Sequence, residues 1–96
     1  MISYRLSVAA DADIAEIARD SILRWGLERA EAYLTALHHA LEHLSRFPRA
    51  GRDIGDLRAG YRRLEHESHA IFYQVHAGGV FVVRVLHRRM EPKQHL

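Results

Sequence analysis

Six residues in the second half of the sequence could do chemistry together: Arg62, Arg63, Arg84, His87, Arg88 and Arg89. Guanidinium groups stabilise charge that develops on a phosphoryl group, and a histidine can move a proton near neutral pH. Arg63, Arg84 and His87 in particular would suit metal-free cleavage of RNA by in-line attack of a 2′-hydroxyl. The plainer reading is that these side chains are solvated at strand ends, or pair with Glu65, Glu67 and Glu91. Exposed pairs of that kind contribute little.

A second arrangement, His39-Ala40-Leu41-Glu42-His43, puts two histidines one helical turn apart. That spacing can hold zinc. The glutamate is not next to the first histidine, as a metalloprotease helix requires, and no third ligand stands out. A solvated helix face accounts for the pair, so no metal and no cofactor is expected. The sequence also lacks a Gly-rich phosphate loop and a nucleophile elbow.

These residues need elements to position them. Ile2 to Ser7 alternates apolar and polar residues and predicts a short strand. Ser7 can cap a helix, with Asp11 and Asp13 near its positive end. Ile14, Ile17, Ala18, Ser21, Ile22 and Trp25 follow helical spacing, and Gly26 is a stop signal. A second helix over residues 28–46, about 28 Å long, carries the stripe Ala30, Tyr33, Leu34, Leu37, Ala40, Leu41 and Leu44. The short connection predicts an antiparallel helix hairpin, ended by Phe47-Pro48. Residues 49–60 read as loop. Strands are expected over 61–65, 69–75 and 80–87, with Gly78-Gly79 as the turn of the last hairpin. The order is β-α-α-β-β-β over residues 1–96, one α+β domain in which the helix hairpin covers a small antiparallel sheet.

Charge narrows the partners. Residues 1–46 hold 5 arginines and 7 acids, net −2; residues 47–96 hold 9 Lys/Arg and 5 acids, net +4. All basic residues but Lys93 are arginine. A basic half points to an anionic partner, nucleic acid or an acidic protein segment, although a GC-rich genome also favours arginine codons. There is no cysteine, and no apolar run approaches the ~18 residues of a membrane span. The N-terminus lacks a signal-peptide pattern. A cytoplasmic protein with no membrane partner is expected.

Several stretches together resemble the ParE branch of the RelE/ParE toxin superfamily. They are Tyr4-Arg5-Leu6-Ser7, Trp25-Gly26 with Ala30 and Tyr33, Phe47-Pro48-Arg49-Ala50-Gly51-Arg52, and Leu57-Arg58-Ala59-Gly60-Tyr61-Arg62-Arg63. His69-Ala70-Ile71-Phe72-Tyr73 and Val83-Arg84-Val85-Leu86-His87-Arg88-Arg89-Met90 complete the pattern, in order and almost end to end. The resemblance implies the toxin of a type II toxin–antitoxin operon, in the fold already expected. It also implies a ParD-like antitoxin with a ribbon-helix-helix DNA-binding half and a C-terminal segment that folds onto the toxin. ParE-type toxins inhibit DNA gyrase, whereas RelE-type toxins cut mRNA on the ribosome. For the nuclease branch, Arg63 and His87 match, but Arg88 stands where those enzymes have tyrosine. The loop lysines are absent, and neither Asp53 nor Asp56 falls on the nucleases' glutamate. A non-catalytic gyrase inhibitor is therefore the favoured reading, with a RelE-type endoribonuclease as the alternative and direct nucleic-acid binding disfavoured. The surface expected for antitoxin or target comprises Arg62, Arg63, Arg84, His87, Arg88, Arg89, the tail 88–96, Trp25 and Tyr33. Trp25, Tyr33 and the long second helix are expected to offer a groove for an amphipathic helix.

Overall fold

The computed structural model describes residues 4–96. Ile2 and Ser3 of the expected first strand lie outside the described residues. Strand β1 (Tyr4–Leu6) leads through Ser7 into helix α1 (Val8–Trp25). The Ser7 hydroxyl accepts from the Ala10 N–H at 2.9 Å, which makes it the N-cap the sequence suggested. Gly26, at φ +89°, is the single residue between α1 and helix α2 (Leu27–Arg46). A residue with a Cβ adopts that conformation only under strain, so the tight hairpin depends on glycine here.

Four strands follow: β2 (Arg52–Asp53), β3 (Tyr61–His66), β4 (His69–His76) and β5 (Gly79–His87), then a 3₁₀ turn at Pro92–Gln94. The turn between β4 and β5 is Ala77-Gly78, one residue earlier than expected, and Gly79 opens β5. The sheet order is β1-β5-β4-β3-β2. It is mixed rather than purely antiparallel. β1 lies parallel to β5, with Tyr4, Arg5 and Leu6 opposite Val80, Phe81 and Val82. The two-residue β2, inside the stretch read as loop, adds the far edge opposite Arg62 and Arg63.

The helix layer covers one face. Leu37, Leu41 and Leu44 of α2 are at most 2% exposed and meet Ile71, Tyr73, Val80, Val82 and Val85 of the sheet, with Ala10 and Ile17 of α1. Burying each such leucine contributes ~2 kcal/mol. A smaller cluster of Ile54, Ala70, Phe72 and Leu86, with Leu57, Tyr61 and Leu96 against it, forms on the helix-free face. The hairpin end of α1 is less covered than its start, where Ala10 is fully buried. Ile22 and Trp25, which share the expected apolar stripe, are therefore 42% and 47% exposed.

Candidate functional site

Between α1 and the outer edge of β5 runs a cleft of about 320 Å³. Beyond Val82 toward His87 that edge of β5 has no neighbouring strand among the described residues, which leaves room for the cleft. A β-bulge helps shape it. Phe72 opposes Arg84 while Tyr73 opposes Val82, which leaves Val83 as the extra residue. Such a bulge re-aims the side chains that follow it. Arg84 thereby reaches round the edge to α1, where its Nε and Nη2 each donate to an Asp13 carboxylate oxygen at 2.8 Å. The Val85 N–H donates to the same carboxylate at 3.0 Å. The bond to Asp13 raises the Arg84 pKa further still.

The cleft has two unlike walls. Asp13, Glu16, Ile17, Asp20 and Ser21 line the α1 side, and Arg24 and Trp25 close the hairpin end. Arg84, Val85, Leu86 and His87 form the strand side, with Tyr33, Ser68, His69 and Met90 at its mouth. The Tyr33 hydroxyl lies 2.6 Å from Nδ1 of His69. Burial, with His87 and His66 nearby, holds the His69 imidazole below its ordinary pKa. The neutral ring can then accept a hydrogen bond at Nδ1 from the tyrosine hydroxyl. Burial, together with Glu67, holds the Tyr33 phenol above its own ordinary value.

The structure divides the expected site residues. Trp25, Tyr33, Arg84 and His87 meet in this cleft. α2 contributes Tyr33 to the cleft, while its leucines Leu37, Leu41 and Leu44 are buried against the sheet. Arg62 and Arg63 are elsewhere, on β3. Arg62 donates to the Gly51 carbonyl at 2.7 and 3.0 Å and approaches Asp53 at 3.9 Å, so it braces a loop. Arg63 is ion-paired with Glu65 and lies over the Phe72 ring, 5.1 Å from its centre. Glu65 is held below the usual carboxylate range chiefly by that bond to Arg63.

The expected convergence of Arg63, Arg84 and His87 does not occur. Arg63 opposes Phe72 on the helix-free face, while His87 opposes His69, whose ring meets Tyr33 of α2 on the other face. The reason is the period of two along a strand, which the sequence could not convert into faces without the pairing register. Arg88 donates to the Glu67 carbonyl at 3.1 Å and nears Glu65. Arg89 has no side-chain hydrogen bond or ion pair to another described residue. The tail does not hang free. Arg84 and Arg58 donate to the carbonyls of His95 and Leu96 at 3.1 and 2.8 Å.

Sequence reading missed Asp13, Glu16, Asp20 and His69 as cleft residues. Asp13 was read only as a helix-end charge. The signal was the spacing of residues 13, 16, 17, 20 and 24, which share one helix face. His39 and His43 are both exposed on α2, and among the described residues no group of three or more His, Cys, Asp or Glu is placed to hold a metal.

A two-helix layer over a five-stranded mixed sheet is the fold of ParE-like toxins. The profile of the family described as the ParE toxin of the type II toxin–antitoxin system, parDE, matches residues 4–92. The chain belongs to that family and is the toxin component of a type II toxin–antitoxin system. It is 45% identical over 94 residues to Toxin ParE1 of Mycobacterium tuberculosis, covering 97% of this chain and 96% of that one. It is 42% identical over 96 residues to Toxin ParE1 of Caulobacter vibrioides, covering 100% and 99%. A solved structure described as the chromosomal ParDE TA system from P. aeruginosa superposes with a TM-score of 0.78 at 19% identity, over 91% of this chain and 96% of that one. At that identity the likeness supports the fold alone. An antitoxin is the partner that family membership assigns.

Proposed function

We propose that this toxin is a non-catalytic inhibitor of DNA gyrase, acting in the cytoplasm and neutralised by a ParD-like antitoxin whose C-terminal segment fills the cleft between α1 and β5. The observation that carries the inhibitor reading is the separation of Arg63 and His87 onto opposite faces of the sheet. An acid–base pair for in-line RNA cleavage must reach one phosphate together. Arg84, the third member, is already ion-paired with Asp13.

The cleft favours a folded-on peptide for three reasons. Its lining includes the apolar Ile17, Trp25, Val85 and Met90, its α1 side carries Asp13, Glu16 and Asp20, and its strand side carries Arg84 and His87. An amphipathic segment with a basic residue toward Glu16 and Asp20 and an acid toward His87 would match both walls. Among the described residues no helix is long and apolar enough to cross a membrane.

Two assays run in parallel test the target. Purified toxin is added to a gyrase supercoiling reaction and to translating ribosomes whose mRNA ends are mapped. Loss of supercoiling with intact mRNA is expected. Position-specific mRNA cuts with normal supercoiling would replace the reading with the ribonuclease one.

A further inference from the structure

The face of the sheet opposite the helices carries a row of side chains that neither the cleft nor the inhibitor reading uses. Arg5 of β1 opposes Phe81 of β5, Phe81 opposes Gln74 of β4, and Gln74 opposes Tyr61 of β3. The row thus crosses four neighbouring strands, about 14 Å at the usual strand spacing. Its faces are set by the cores. Tyr73 and Val82, the neighbours of Gln74 and Phe81, are buried against the helices, so Gln74 and Phe81 point the other way.

Each end of the row is an arginine over an aromatic ring. The Arg5 guanidinium lies 5.4 Å from the centre of Phe81, and the Arg58 guanidinium lies 5.7 Å from the centre of Tyr61. Between the rings, Gln74 is hydrogen-bonded to His76 Nε2 at 2.8 Å, which leaves the amide nitrogen for another acceptor. Neither Phe81 nor Tyr61 is fully buried, and Arg5 and Arg58 are exposed, although Arg58 Nη1 also donates to the Leu96 carbonyl at 2.8 Å. Among the described strand residues the register puts one carboxylate on this face, Glu65, and Arg63 already binds it.

We infer that this row is a platform for single-stranded nucleic acid. The two arginine–ring pairs, two strands apart or about 10 Å, can each receive an unstacked base against the guanidinium plane or the ring edge. Guanidinium planes extend the stacking and neutralise phosphates, while the Gln74 amide offers a hydrogen bond to a base edge. An acidic protein surface would engage the arginines but makes no use of the partly exposed rings beneath them. Binding here is distinct from cleavage, since His87 lies on the other face.

The test is fluorescence anisotropy with a labelled ten-nucleotide oligothymidylate, the matching RNA, and a duplex of equal length, using the full chain. Single strands are expected to bind in preference to the duplex. The substitution Phe81→Leu keeps apolar volume, removes the ring and should weaken binding about tenfold. The double substitution Arg5→Gln with Arg58→Gln should lower the slope of log affinity against log salt by about 1.4, at ~0.7 per phosphate on a single strand. Thermal melts check that each variant folds, and Tyr61→Leu makes the same test if Phe81→Leu does not. Absence of binding, equal binding of duplex, or affinity indifferent to loss of the ring would overturn the inference. Displacement of the oligonucleotide by polyglutamate at equal charge would overturn it in favour of an acidic protein.

Discussion

Asp13 of α1 holds Arg84 of β5 through two parallel hydrogen bonds of 2.8 Å, across 71 residues of sequence. The pair is mostly buried, with 13% and 22% of the two side chains exposed. The same carboxylate also satisfies the Val85 N–H on the open strand edge. Asp13→Ala therefore leaves a guanidinium and a backbone donor without their partner. A loss of ~2 kcal/mol in urea unfolding is expected. Asp13→Asn keeps one oxygen acceptor and should cost less; equal losses would show that charge alone matters.

Gly51 and Tyr73 make a second fragile contact. The Tyr73 hydroxyl accepts from the Gly51 N–H at 2.9 Å and donates to the Pro48 carbonyl at 2.7 Å. A Cβ on Gly51 would lie 2.6 Å from that hydroxyl and 2.8 Å from the Arg63 carbonyl. Gly51→Ala should destabilise the protein by ~2 kcal/mol or more, because one of the three close atoms is backbone and the other two belong to a buried ring. Tyr73→Phe, which orphans a buried donor and acceptor, should cost ~1–3 kcal/mol by the same measurement.

The His69 site gives a pH dependence with a definite sign. Burial lowers the folded-state pKa of His69 below its ordinary value of 6.5. As pH falls through that value the unfolded chain takes up a proton that the folded chain resists, so stability falls. The loss levels off once the folded pKa is passed. Urea midpoints at pH 7.5 and pH 5.5 should show the drop. Replacing His69 with Asn should flatten it at that site, and a variant with the full pH dependence would contradict the assignment.

Antitoxin binding should track the cleft rather than β3. Trp25→Ala and Met90→Ala remove apolar surface from the cleft and its mouth, and each should weaken the complex about tenfold in calorimetric titration. Arg62→Glu removes the brace on the Gly51 carbonyl. It should lower the unfolding midpoint while leaving the affinity of the folded protein within a few-fold.

What the sequence disclosed follows from which signals are local. The α2 stripe, the Ser7 cap and the Gly26 stop each rest on a few adjacent residues, and each is in place. The strand at Tyr4–Leu6 was legible, but its direction was not, because alternation is the same for parallel and antiparallel pairing. β2 is too short to show a period. For the site, residue types were readable and faces were not. The bulge at Val83 depends on how β4 meets β5, and it decides that Arg84 turns toward Asp13. Register likewise parts Arg63 from His87.

The parallel pairing of β1 with β5 also bears on when this protein can be toxic. β1 has β5 as its only neighbour in the sheet, yet the ribosome makes residues 80–82 more than seventy residues after β1. The outer strand, the Ser7 contacts to Val82 and Val83, and the Asp13 clamp all wait for that late segment. Non-local closures of this kind fold slowly, because the loop entropy is lost before the contacts form. A nascent chain therefore carries α1 and α2 before β5 supplies the surface that completes the cleft, and the finished shape waits for that strand. Timing of harm is thus written into the order of strands.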